Sequence, residues 1–167
     1  MKRIKTLLLL TAIFGVVTLN SCKKDKKEAV VSLTADLDGT ATNFSVSPVA
    51  LQGAVDGQTF TVIQGSTSTG ATLSITIAGK VTAGKTYSDA ATSDDDKPLF
   101  LYATSPTADD YLNDDDDTAN LPSITITSVT STTIDGTFKG KVGLLSEGAQ
   151  VKSITNGKFH VNIQTHP

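Results

Sequence analysis

Nine carboxylates crowd into the 24 residues from Asp94 to Asp117: Asp94, Asp95, Asp96, Asp109, Asp110, and the run Asp114, Asp115, Asp116 and Asp117. Lys97 is the one base among them. Carboxylates this close repel one another unless water or a cation neutralises them. Ca²⁺ takes about six to eight oxygen ligands, so Asp94, Asp95, Asp96, Asp114, Asp115, Asp116 and Asp117 are candidate calcium ligands by residue type. Their spacing is not that of an EF-hand. A loop begun at Asn113 puts Thr118 where glycine is required and Ile124 where glutamate is required, and one begun at Asp114 puts Ala119 and Thr125 there. The alternative is an acidic loop held in water. Other chemistry is sparse. His160 and His166 are the only histidines, and Cys22 is the only cysteine. That is too few soft ligands for a zinc site. No Gly-x-Ser-x-Gly elbow supports a nucleophilic serine. An exposed aspartate run is also a poor setting for the raised pKa that a glycosidic acid needs. His160, between Phe159 and Val161, is expected to face water. Tyr87 and Tyr102 are expected to pack, and Tyr111 to be exposed. The residues point away from an enzyme.

Cys22 has the clearest role. Met1 to Lys5 is a basic segment, Leu7 to Val17 is apolar, and small and polar residues follow. That order is a secretory signal peptide over residues 1–21. The apolar stretch falls short of the roughly 20 residues of a spanning helix. Leu19-Asn20-Ser21-Cys22 resembles the lipobox of bacterial lipoproteins. The resemblance implies cleavage before Cys22 and acylation of its thiol and new amino group, and so a covalent lipid that makes a membrane the first partner. Each buried methylene contributes about 0.8 kcal/mol, and stable anchoring needs two chains, which a multiply acylated cysteine provides. With its thiol acylated, the chain has no sulfur left for a disulfide, metal or nucleophile. Residues 22–28 are then the lipidated cysteine and a charged tether, Lys23-Lys24-Asp25-Lys26-Lys27-Glu28.

The remaining residues, 29–167, suit one domain. They hold seven lysines, no arginine and fifteen acids, a balance of −8. Nucleic acid demands cationic phosphate contacts, so this body excludes it as a partner. A protein or glycan ligand stays open.

Threonine, serine, glycine and the β-branched aliphatics dominate, and no apolar period of 3.6 is sustained after Val17. Strands and turns are expected. Strands are read over residues 29–38, 41–51, 59–64, 71–78, 99–104 and 132–144, with a short one after Tyr87, one through Ile124 and Ile126, and one through Phe159, Val161 and Ile163. Pro48 marks an edge or a strand end. Asp38-Gly39, Asp56-Gly57 and Asp135-Gly136 read as turn chemistry, and Asn156-Gly157 as a hairpin placing Ile154 opposite Phe159. Gly136 and Gly140, set between Ile134, Phe138 and Val142, suggest a bulge or a close approach. The expected fold is an all-β antiparallel sandwich of about eight or nine strands, with an acidic loop at 94–117.

Several segments in order, Ala35 to Thr40, Ala71 to Ile77, Ala83 to Tyr87, Ser123 to Ser128, Ile134 to Phe138 and Ile154 to Phe159, resemble small uncharacterised lipoproteins of Bacteroidetes-type bacteria. The resemblance implies an envelope-anchored β domain, in the outer membrane, with no catalytic residues to carry over. The acidic stretch looks like an insertion relative to that pattern. The expectation is a non-enzymatic envelope lipoprotein for binding or structure; the alternative is a calcium-dependent adhesion or ligand-binding module.

Overall fold

Two turns follow directly from their residues. Asp38-Gly39 and Asp56-Gly57 hold positive φ at both positions, 49° and 79° in the first, 51° and 79° in the second. This is the type I′ geometry that matches strand twist. Each closes a two-residue hairpin, pairing Leu37 with Thr40 and Val55 with Gln58.

The computed structural model describes residues 30–107, 110–113, 119–144 and 150–165. Among them the chain forms eleven strands and no α-helix, so the all-β expectation is met. The strands are β1 (Ser32–Leu37), β2 (Thr40–Asn43), β3 (Val46–Val55), β4 (Gln58–Ser66), β5 (Thr72–Ala78), β6 (Thr86–Ser88), β7 (Leu99–Ala103), β8 (Asp110–Asn113), β9 (Ser123–Val129), β10 (Thr133–Leu144) and β11 (Val151–Thr165).

Strand order is β2-β1-β11-β3-β4-β5-β7-β8-β10-β9-β6, with a further pairing of β11 to β10. That last pairing closes a ring of seven strands: β11, β3, β4, β5, β7, β8 and β10. β1 and β2 extend from β11, and β9 and β6 from β10. Two long strands make this possible. Along one edge β11 pairs first with β1 and then, at residues 162–165, with β3. Along one edge β10 pairs first with β9 and then, from Val142, with β8. The β10–β11 ribbon is thus a corner that belongs to both layers, the device by which strands switch sheets.

The architecture differs from expectation in three ways. The strand count is eleven, not eight or nine. The β3–β11 pair is parallel. β2 already runs in the direction of β11, and only two residues separate it from β3, so the chain does not reverse before meeting β11. Finally, neither Asn156-Gly157 nor Asp135-Gly136 is a hairpin turn. Asn156 lies inside β11 at φ 53°, where the register against β10 shifts between Phe138 and Gly140. It is a bulge, because partners on both edges of β11 hold the chain extended. Pro48 likewise sits in β3 between Val46 and Val49, where the register to β4 shifts and Ser47 takes φ 49°.

The core is one cluster drawn from both layers. Alternation supplies it: Leu33, Ala35 and Leu37 from β1, Leu73, Ile75 and Ile77 from β5, Ile124 and Ile126 from β9, Phe159 and Val161 from β11. At its centre β10 and β11 exchange rings for glycines. Gly136 pairs with Phe159, and Phe138 with Gly157. A Cβ on Gly157 would stand 2.6 Å from the Phe138 ring, and one on Gly136 would strike the Phe159 ring and the Thr125 carbonyl. Each ring therefore lies across the backbone of the glycine opposite, and the two ring centroids are 6.3 Å apart. Phe100 packs edge-on to Phe138 at 6.1 Å.

Gly136→Ala and Gly157→Ala are each expected to lower unfolding free energy by at least about 1–3 kcal/mol, the usual cost of forcing a methyl into a filled core. Phe138→Ala should lose about 3–5 kcal/mol. Urea denaturation of the three variants against the parent chain checks both values.

Candidate functional site

The acidic stretch is not a single loop. Asp94–Asp96 form one 3₁₀ turn, β7 follows, and β8 begins at Asp110. Tyr111, expected to be exposed, is buried: it faces inward from β8, its ring 5.9 Å from that of Tyr102, and its hydroxyl donates to Gln150 Oε1 at 3.2 Å. β8 was hidden because Asp110 and Asn113, its two ends, read as loop chemistry while its two inner residues are too short a run to show alternation. Asn113 is itself structural. Its Oδ1 accepts from the Phe100 amide at 2.8 Å and its Nδ2 donates to the Pro98 carbonyl at 2.8 Å.

Of the seven candidate calcium ligands, Asp94, Asp95 and Asp96 are brought onto one turn. There Asp96 pairs with Lys85 at 2.6 Å and Asp94 with Lys97 at 3.5 Å. The Asp96 hydrogen bond raises the Lys85 pKa, and the Lys85 ammonium stands 4.7 Å from the centre of the Tyr87 ring. Lysine thus meets two of the three carboxylates. Asp114, Asp115, Asp116 and Asp117 lie outside the described residues, as do Asp109, Cys22 and His166. Among the described residues no three or more His, Cys, Asp or Glu side chains converge as a metal site.

His160 is half-buried rather than simply facing water. It lies on the outer face of β11 directly opposite Asp135 of β10, and its Nδ1 is 2.5 Å from the Asp135 carboxylate. Its partner on the other side is Ser32 of β1. Serine, histidine and aspartate therefore stand in one row across three strands. The order is that of a hydrolytic triad, but the setting is an open sheet whose amides are engaged in the strand ladders. Sequence could not bring these residues together, because only the register of three strands does so.

A second constellation ties the β1–β2 turn to β11. The Asp38 carboxylate accepts from Lys152 Nζ at 2.8 Å and from the Ser153 amide at 2.9 Å. These two bonds lower the Asp38 pKa, and the same contact raises that of Lys152. Nearby, Asn156 Nδ2 donates to Asp36 Oδ2 at 2.7 Å.

Two shallow depressions, both open to solvent, mark the surface. One, about 190 Å³, is lined by Gln52, Gly53, Thr59, Phe60, Lys80 and Thr165. The other, about 270 Å³, lies over the β1–β2 hairpin between Thr34, Asp36, Ala41, Asn43 and Asn156.

No family model matches the chain, and no curated protein or solved structure matches it. The likeness to Bacteroidetes-type lipoproteins therefore stands on the residues quoted for it alone.

The Asp38–Lys152 contact sets a pH window. The Asp38 share is full above its unfolded pKa, about 3.9, and is lost as pH falls through the lowered folded value; the Lys152 share is full below its unfolded pKa, about 10.4, and is lost as pH rises through the raised folded value. Both side chains are partly exposed, so the total should not exceed about 1 kcal/mol. Lys152→Gln should reduce stability by that amount at neutral pH and converge with the parent chain towards both extremes, as read by denaturation across pH.

Proposed function

We propose that this chain is a lipid-anchored protein of the cell envelope, cut before Cys22, acylated there, and held in the outer membrane. On this reading its all-β body presents surfaces for binding or envelope structure and does no enzymatic chemistry. The observation that carries the reading is the position of Cys22, directly behind a basic segment and an apolar segment and within Leu19-Asn20-Ser21-Cys22. β1 starts at Ser32, ten residues beyond Cys22, a length of chain that on this reading spans at most about 35 Å. Among the described residues no helix is long and apolar enough to cross a membrane, so nothing in them supplies a second, helical attachment.

The test is Cys22→Ser in the producing cell. The parent chain should sediment with membranes and partition into detergent. The variant should leave the membrane fraction or retain its leader. Unchanged membrane partitioning of a processed Cys22→Ser chain would overturn the anchor.

The alternative, a calcium-dependent adhesion module using residues 94–117, predicts a different response. Binding to the folded state alone would stabilise it by about 2.7 kcal/mol at a hundredfold excess over Kd, several degrees in Tm. Under the reading proposed here, millimolar calcium leaves Tm unchanged. A rise that disappears on replacing Asp114 to Asp117 with asparagine would establish the alternative.

A further inference from the structure

The sheet ends at β2, and the outer edge of that strand is bare. Asp38-Gly39 closes a two-residue hairpin, so Leu37 and Thr40 form a hydrogen-bonded pair and the pairs beyond them alternate. Thr40 and Thr42 therefore spend their backbone groups on β1. Phe44 does the same through its amide, 2.9 Å from the Leu33 carbonyl. Ala41 and Asn43 face the other way. β2 stands last in the strand order, and among the described residues nothing bonds to the N–H and C=O of either. The chain does not return over this edge: β3 takes the place of β1 along β11, so after Asn43 the path turns towards β11.

A bare edge is a template for another strand, and natural sheets blunt their edges with lysine, proline or a bulge. The opposite end follows that rule: β6 has three residues and is preceded by Lys85, held by Asp96. β2 does not. Thr40-Ala41-Thr42-Asn43 carries no charge and no proline, pairs with β1 without a register shift, and is exposed apart from the half-buried Thr42. A second copy of the chain meets it group for group. Two β2 strands set antiparallel about a twofold axis at Thr42 put Ala41 opposite Asn43 of the second copy, and Asn43 opposite its Ala41. All face the edge, so every unpaired group joins one of four hydrogen bonds. Any other antiparallel register sets Ala41 or Asn43 opposite a residue that faces β1 or lies outside β2. Thr42 meets its own copy across the axis, a cross-strand threonine pair like Thr86 and Thr125, whose hydroxyls bond at 2.9 Å. Asn43 of the second copy then stands next to Ala41 and the 270 Å³ depression that Ala41 lines. Charge does not oppose the contact. The two Asp36 carboxylates are at least three strand spacings apart, about 14 Å, beyond the roughly 8 Å over which charges act at physiological salt.

We propose that β2 is a self-association edge: two copies join through antiparallel β2 strands centred on Thr42, and their sheets run on as one. The interface is isologous, each copy offering the same four residues. It is also small. Stable interfaces bury roughly 1,200–2,000 Å², more than one short strand a side supplies, so freely diffusing chains pair weakly. Chains anchored on one bilayer are held at an effective concentration like that given by a short linker, in the millimolar range. The twofold axis is perpendicular to the paired strands' sheet, so both tethers can reach one surface. The strength of pairing in the cell thus rests on the anchor proposed above. The register does not, and the two are tested apart.

The experiment is oxidative cross-linking of full chains in membranes of the producing cell. Opposed residues of a non-hydrogen-bonded pair have Cα atoms about 4.5 Å apart, within the range of a disulfide. Thr42→Cys should therefore yield a covalent dimer. Ala41→Cys, offset from its own copy by two residues, should not, nor should Thr127→Cys, exposed on β9. Ala41→Pro deletes an edge-facing amide that β1 does not use. Added to Thr42→Cys, it should abolish the dimer and keep the parent Tm. Cys22 is the only thiol of the parent chain, so a parent dimer would count against acylation; the same comparison is then made in purified Cys22→Ser at millimolar concentration, where it still decides the pairing. No dimer from folded Thr42→Cys, as much from Ala41→Cys or Thr127→Cys, or a dimer that survives Ala41→Pro would overturn the proposal. So would a Thr42→Cys product joined to a different protein, the result for an edge that takes its strand from elsewhere.

Discussion

The fold depends on the contact between β10 and β11. These are the two longest strands among the described residues, and each changes partner along its outer edge, β11 from β1 to β3 and β10 from β9 to β8. Their centre is two rings laid over two glycines, Phe159 on Gly136 and Phe138 on Gly157. Bare glycine in a strand costs backbone entropy and leaves nothing to pack. A ring from the facing residue covers that gap and buries itself at the same time. The bulge at Asn156 falls within the stretch of β11 that pairs with β1, residues 154–160, and the last residues, 162–165, pair with β3. The pairing of Asn162 to Thr165 with β3 closes the seven-strand ring.

The surface follows from the same geometry. With the ring closed, every described strand except β2 turns side chains into the core, and many of the chain's threonines and serines are left outside. Charge collects where strands end. Asp38 and Lys152 bind the β1–β2 turn to the start of β11, and Lys85 and Asp96 bind the start of β6 to the turn before β7. Such exposed pairs contribute little stability each. Their effect is to fix how the ends lie, while the body relies on packing, since its sequence offers it no disulfide.

What was legible in the sequence was local. Asp38-Gly39 and Asp56-Gly57 make the turns that their residues demand, and Leu73, Ile75 and Ile77 face inward as their alternation requires. The same dipeptide chemistry misled at Asp135-Gly136 and Asn156-Gly157. Residues tolerant of positive φ serve turns and bulges equally, and only distant partner strands decide which. Tyr111 and β8 were hidden by the acids around them, for a four-residue strand can be aspartate and asparagine at its ends. The parallel β3–β11 pair and the Asp135–His160 contact depend on register between segments more than 20 residues apart, which no local pattern encodes. The proposed anchor is legible for the opposite reason: it rests on four consecutive residues and the segment just before them.

The central functional claim is that the mature protein begins at a lipid-bearing Cys22. Intact-mass spectrometry of the protein purified from its own membranes, followed by fragmentation of the N-terminal peptide, addresses it most directly. The account predicts a chain starting at Cys22, with the mass of a diacylglyceryl group and an amide-linked acyl chain on that residue. A chain that starts elsewhere, or a Cys22 with an unmodified thiol, would contradict it.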